Sequence, residues 1–148
     1  MGFDHSKGKV LVVDDSPEMR RYLQTLLELN SYRVLTAGSG VEALQTLISG
    51  ADPDVVLLDL EMPELDGFLT LERIRSLRPD LKVIMCSGMM DAACSRKAIR
   101  LGAEAFLVKP VRHLYLTAAL ERCIARHPLH HRAALRPEVI PFPVTRPS

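Results

Sequence analysis

Apolar residues along this chain gather into short unbroken runs, separated by longer stretches where they recur every three or four positions. The runs are Lys9-Val10-Leu11-Val12-Val13, Val55-Val56-Leu57-Leu58, Leu81-Lys82-Val83-Ile84-Met85-Cys86 and Ala105-Phe106-Leu107-Val108. Runs of this length, apolar on both faces, predict strands covered from both sides, as in a parallel sheet. Tyr32 to Ala37 is more mixed and reads as an edge strand. Between the runs the period lengthens. Met19, Leu23, Leu26 and Leu27 mark a first helix, with Ser16 as its cap, Pro17 at its first position and Asn30 at its end. Gly38-Ser39-Gly40 turns the chain into a second helix striped by Val41, Ala43, Leu44, Leu47 and Ile48 and stopped at Gly50. After the break at Pro53 and the next strand, Phe68, Leu71, Ile74 and Leu77 build a third helix ended by Pro79. Asp91 caps a fourth that ends near Leu101-Gly102. The fifth runs from about Arg112 to Arg126, with Leu116, Leu120, Cys123 and Ile124 toward the core and Pro128 beyond its end. Strict alternation of strand and helix predicts an α/β fold, a parallel sheet wrapped on both faces.

Polar chemistry falls where these strands end. Asp14-Asp15 follows the first run, Asp59 the second, Ser87-Gly88 the third and Lys109-Pro110 the fourth. In open α/β sheets ligands sit beyond the carboxyl ends of the strands, at the switch in strand order. Each piece alone has a plain structural explanation. An Asp pair caps helices, a strand-end Asp makes a turn, and a lone lysine is usually solvated. Convergence of carboxylates, a hydroxyl and an ammonium on one edge makes those explanations inadequate.

The set resembles the receiver domain of two-component response regulators, in the family's order and spacing, over about residues 9 to 127. Its stand-alone, chemotaxis-regulator-like type is the nearest match in layout. The resemblance implies a flavodoxin-like (βα)5 fold with a five-stranded sheet in the order 2-1-3-4-5. It implies phosphorylation of Asp59 by a sensor histidine kinase or a histidine phosphotransfer protein. Mg²⁺ would be held by Asp15 directly, by Asp14 through water, by Asp59 and by the Glu61 backbone carbonyl. Lys109 would contact one phosphoryl oxygen and Ser87 would donate to another. A cis peptide is expected between Lys109 and Pro110. Ser87 and Phe106 match the switch positions, with Phe106 able to rotate into space that Ser87 vacates. The downstream protein target would then dock on the face of the fourth helix, fifth strand and fifth helix. There Leu114, Tyr115, Ala118 and Ala119 fall partly outside the core stripe and extend an apolar patch from Phe106. Family members that dimerise through this face often carry an Asp-Asp pair before the aromatic. Glu104-Ala105 stands there instead, which favours a lone receiver acting on a separate partner and leaves the oligomeric state open.

Two positions depart from common family patterns. Glu61 is expected to add a flexible negative group at the rim, altering how donors and water enter. Met89, with Met90, is expected to limit water approach. Two rival functions remain: a pseudo-receiver that binds partners without phosphorylation, and a phosphatase-like hydrolase with Asp59 as nucleophile. The intact set of Asp14, Asp15, Asp59, Ser87 and Lys109 argues against the first. Against the second, Glu61 is a poor general acid and no cap insertion is visible. The protein is therefore expected to signal rather than to act as an enzyme on a substrate.

Composition adds boundaries. With 148 residues and a net charge of +1, one domain is expected, with no broad field to hold nucleic acid or an anionic membrane. Cys86, Cys94 and Cys123 lack CxxC spacing and read as buried or half-buried thiols in a reducing, cytoplasmic setting. Residues 1 to 8 read as a flexible leader without a secretory h-region, and no run is long enough to span a bilayer. The leader matches the short myristoylation pattern formally, a pattern that recurs by accident. Residues 128 to 148, rich in Pro and Arg, show no period and read as a disordered or loosely docked tail. Val139 to Phe142 offers the rival reading of an extended arm. The five histidines, His5, His113, His127, His130 and His131, lie away from the acidic edge and read as solvated or capping groups.

Overall fold

A computed structural model describes residues 5–62, 66–88 and 92–125. The chain forms β1 (Gly8–Val13), α1 (Pro17–Leu29), β2 (Tyr32–Ala37), α2 (Gly40–Ile48), β3 (Val55–Asp59), α3 (Gly67–Leu77), β4 (Lys82–Ser87), α4 (Ala92–Arg100), β5 (Ala105–Val108) and α5 (His113–Ala125). All strand pairs are parallel, and the sheet order is β2-β1-β3-β4-β5. The fold class is that expected from the alternation of strand and helix, and the strand order is that implied by the resemblance.

Period-two alternation divides the apolar strands between two cores. Val10, Val12, Val55, Leu57, Ile84 and Cys86 face α1 and α5, where Leu23, Leu27, Leu116 and Leu120 cover them. Leu11, Val13, Val56, Leu58, Val83 and Met85 face the other side, against Leu47 of α2, Leu71 and Ile74 of α3 and Ala98 of α4. Every residue of β3 is buried, as a central strand with helices on both faces requires. Fully burying one such Leu or Val stabilises by roughly 2 kcal/mol, so this double coverage gives the site a stiff platform.

Caps set the helix starts. Ser16 accepts from the Met19 N–H and Ser39 from the Glu42 N–H. At α3 the cap is Asp66, which accepts from the Leu69 N–H at 2.8 Å, a role not anticipated. Gly67 next to it lies against the end of β3. A Cβ there would stand 2.5 Å from Leu60 Cα, so no other residue lets α3 start this close behind Asp59.

Several expectations shift. Ala105 to Val108, expected as a buried strand, has one neighbour among the described strands and no fully buried residue, although Phe106 packs on one core and Ala105 and Leu107 on the other. Ala119 belongs to the α5 core stripe and not to the exposed patch. Lys7 and Gly8, placed in the leader, join the fold: Gly8 opens β1, and the Lys7 N–H donates to the Ser31 carbonyl at 2.7 Å. Cys86 and Cys123 are buried and Cys94 half-buried. The capping role of Asp91, the Met89 and Met90 proposal and the whole stretch 126–148 lie outside the described residues. Among the described residues no helix is long and apolar enough to cross a membrane.

Candidate functional site

Sheet hydrogen bonding continues past the strands and holds their ends in step. The Asp14 N–H donates to the Ala37 carbonyl at 3.1 Å, the Leu60 N–H to Cys86 at 2.8 Å and the Lys109 N–H to Ser87 at 2.7 Å. Asp14, Asp59, Ser87 and Lys109 therefore emerge side by side, at the switch point where β1 neighbours both β2 and β3. The Lys109–Pro110 peptide is cis.

Asp14 and Asp59 are each 3% exposed. Lys109 Nζ donates to Asp59 Oδ1 at 3.0 Å and to Asp14 Oδ2 at 3.4 Å. The other Asp14 oxygen accepts from the Ser16 N–H at 2.9 Å, and its carbonyl accepts from Arg20 at 2.7 Å, which fixes the turn between β1 and α1. Asp59 Oδ1 also accepts from the Glu61 N–H at 3.2 Å. Asp59 Oδ2 accepts no hydrogen bond among the described residues. Asp15 is exposed, yet one carboxylate oxygen each from Asp14, Asp15 and Asp59 lies within 4.8 Å of the others.

Charge is out of balance here. Burial, with the Asp14 carboxylate adding to it, pushes Asp59 up to about 6 against the opposing pull of Lys109 and the Glu61 N–H. For Lys109, burial works against the ammonium, but the hydrogen bond and charge of Asp59, with Asp14, outweigh it and hold the lysine above its ordinary value. Among the described residues, three carboxylates around one ammonium leave a cation deficit. Hard oxygen donors in a set this small suit a divalent ion such as Mg²⁺, which keeps several waters and takes only one or two protein carboxylates.

Glu61 differs from its expected free placement. Its Oε2 accepts from the Ser87 hydroxyl, and its Oε1 accepts from the Gly88 N–H at 3.1 Å. The β3–β4 register, which pairs Asp59 with Cys86, brings Glu61 beside Ser87. A strand-end acid two residues past Asp59 was visible in the sequence, but the register that docks it was not. Phe106 is half-buried against the core on the α3–α4 side. Beside it a shallow cleft is lined by Val108, Lys109, Pro110, Arg112 and Tyr115. Leu114 and Tyr115 are 74% and 65% exposed. His113, the histidine described on the last helix, hydrogen-bonds Asn30 Oδ1 at 3.2 Å.

The profile of the response regulator receiver domain matches residues 10–121. This chain belongs to that family. The receiver is 39% identical over 121 residues to a probable transcriptional regulator ycf27 of Guillardia theta, covering 82% of this chain and 47% of that protein. It is 37% identical over 115 residues to the chemotaxis protein CheY of Listeria monocytogenes, covering 77% of this chain and 96% of that one. The crystal structure of a response regulator receiver domain protein from Clostridium thermocellum superposes with a TM-score of 0.76 at 34% identity, over 80% of this chain and 94% of the other. The receiver thus spans about half the length of the ycf27 relative and nearly all of the chemotaxis protein. Receiver domains serve two-component signalling between histidine kinases and effectors.

Proposed function

We propose that this receiver accepts a phosphoryl group on Asp59 and uses it to change the face formed by α4, β5 and α5. The observation that carries the reading is the Asp59 carboxylate itself: buried, with Oδ1 held by Lys109 and the Glu61 N–H, and with Oδ2 accepting no hydrogen bond among the described residues. A carboxylate is a weak nucleophile, and phosphoryl transfer asks mainly for alignment and neutralisation of charge. Lys109 holds the Asp59 side chain in one orientation and stands ready to meet a phosphoryl oxygen. Ser87, at the end of the neighbouring strand, brings a hydroxyl that can donate to another. Asp15, Asp14, Asp59 and the Glu61 carbonyl would hold Mg²⁺. When bound, that ion supplies the positive charge that three carboxylates and an incoming phosphate require.

The donor is a phosphohistidine of a sensor kinase or phosphotransfer protein. In the reaction a carboxylate oxygen of Asp59 bonds to phosphorus while the bond to the donor nitrogen breaks. Switching follows if Ser87 turns toward the new oxygens and Phe106 moves into the space behind it, a local charge change biasing a two-state packing element. Half-burial of Phe106 beside exposed Val108, Leu114 and Tyr115 supports a protein target docking on this face.

The test is direct. The chain is incubated with Mg²⁺ and acetyl phosphate, or with a phosphorylated histidine kinase, and weighed intact. One added phosphate on the wild type and none on Asp59→Asn supports the reading. An adduct of equal yield on Asp59→Asn would sink it.

A further inference from the structure

The phosphotransfer reading uses Glu61 only through its backbone carbonyl, yet its side chain holds two donors on the next strand end. Oε2 takes the Ser87 hydroxyl and Oε1 takes the Gly88 N–H at 3.1 Å. A hydroxyl followed by a backbone N–H, both aimed at one carboxylate, forms a small anion-binding pair whose bonds are charge-assisted. A phosphoryl group on Asp59 would present its oxygens to this same strand end. Ser87 has one hydroxyl proton to donate, so it cannot serve the Glu61 carboxylate and a phosphoryl oxygen together.

We propose that the Glu61 carboxylate is a resident anion on the Ser87–Gly88 donor pair of the unphosphorylated chain, and that a phosphoryl group reaching Asp59 must displace it. The proposal rests on Asp59 being the phosphoacceptor. Displacement is feasible because Glu61 is exposed, so its released carboxylate returns to water without crossing the core. With acetyl phosphate as donor, an Asp59 oxygen bonds to phosphorus, the bond to the acetyl oxygen breaks, and acetate leaves with that electron pair. The Ser87 hydroxyl exchanges one acceptor for another, and no proton is lost or gained. Glu61 thereby sets a threshold: weak phosphodonors must compete with an anion already in place. It also holds Ser87 in its resting position until a phosphoryl oxygen replaces the carboxylate.

Beryllofluoride, a phosphoryl mimic, gives the equilibrium test when titrated with Mg²⁺ by calorimetry into the full chain and its Glu61→Ala, Glu61→Gln, Ser87→Ala and Glu61→Ala/Ser87→Ala variants. Glu61→Ala is expected to bind it about tenfold tighter than wild type, and to be charged by acetyl phosphate faster by a similar factor. Glu61→Gln should fall between, since its amide oxygen accepts one donor while its NH₂ cannot accept the other. In the Ser87→Ala background the gain from Glu61→Ala should shrink below about threefold, because only the Gly88 N–H remains contested. An undiminished gain there would indicate simple charge repulsion and overturn the proposal, as would equal affinities for wild type and Glu61→Ala. The Gly88 amide proton offers a phosphate-free check by nuclear magnetic resonance. It should move upfield in Glu61→Ala, and an unmoved signal overturns the contact. If neither wild type nor any variant takes beryllofluoride or phosphate, the phosphoacceptor reading falls and takes this proposal with it. Binding by all with equal affinity sinks the proposal alone.

Discussion

At the amino end of the sheet, charges meet opposite partners in water. Arg78 reaches Asp52 at 2.8 Å and Asp80 at 4.0 Å, and the Asp52 side chain is 82% exposed. The Asp54 carboxylate there accepts from the Lys9 N–H at 2.9 Å, while its own N–H donates to the Lys9 carbonyl at 2.8 Å. At the carboxyl end Asp14 and Asp59 are buried against a single ammonium, with Asp15 close by. Both ends belong to one sheet and are built from the same residue types. The amino end closes the fold at little electrostatic cost. The carboxyl end carries an excess of buried negative charge that stability alone would remove, which is why the excess points to a ligand that neutralises it.

Lys109→Met should break the contrast most strongly. It leaves the buried Asp59 and Asp14 carboxylates without their cation, and removing one partner of a buried pair costs about 3 kcal/mol. Denaturant unfolding at pH 8 in metal-free buffer is expected to show that loss. The loss should be smaller at pH 5, where Asp59 can take a proton instead of standing unpaired. A variant as stable as wild type at pH 8 would mean that the carboxyl end tolerates its charge unaided.

Asp59→Asn should act in the opposite direction. The folded-state value of Asp59, about 6, lies above the ordinary 3.8, so the folded chain holds this proton more tightly than the unfolded chain. Its ionisation therefore takes nothing from stability below about pH 4, takes progressively more between about pH 4 and 6, and takes its full amount above that. Removing the charge should stabilise the metal-free chain by about 2 kcal/mol at pH 7.5 and by little at pH 4. Equal midpoints for the two chains at pH 7.5 would contradict the burial of an ionised Asp59.

Much of this layout was legible beforehand, for reasons that differ between residues. Val55 to Leu58 announced a central strand because four apolar residues in a row leave no face for water. Ser16 and the Gly38-Ser39-Gly40 turn announced helix starts through side-chain capping and turn chemistry, and Pro17 through its fixed φ and missing N–H. The strand-end residues Asp14, Asp15, Asp59, Ser87 and Lys109 could be read together because parallel strands deliver their carboxyl ends to one edge whatever their order. Other features depend on neighbours that a linear pattern does not name. Val108 is 37% exposed at the end of β5, which has one neighbour among the described strands, and the burial of Ala119 was hard to read because small residues carry little periodic signal. Glu61 docks on Ser87 only through the β3–β4 register, and Gly67 is required by the backbone of Asp59 and Leu60.

Mg²⁺ should sharpen the comparison by acting at one end alone. A ligand present at ten times its dissociation constant and bound only by the folded state stabilises it by about 1.4 kcal/mol. Wild type should gain that much at neutral pH and lose it on chelation with EDTA. Asp14→Asn, which weakens the carboxylate set, should gain much less. Ca²⁺ and Mg²⁺ stabilising both chains equally would point to general screening rather than to a site.

The smallest effect is expected from Asp52→Asn at the amino end. The carboxylate that it removes is solvated, so its pairing with Arg78 is offset by the entropy of holding a long side chain and is weakened by salt. Stability should change by no more than about 0.5 kcal/mol at 0.15 M salt, and by less at 1 M. Arg78 keeps Asp80 and the Ala51 carbonyl, at 3.4 Å, as partners, so no buried cation is stranded. The salt response separates the two ends more clearly than the magnitude does. The change in Asp52→Asn should fade as salt rises, while that in Lys109→Met should largely persist, because a largely desolvated pair is screened much less than a solvated one. A loss above about 1.5 kcal/mol that persists in 1 M salt would mean that the amino end also relies on desolvated charge, and the contrast between the two ends would no longer identify the functional one.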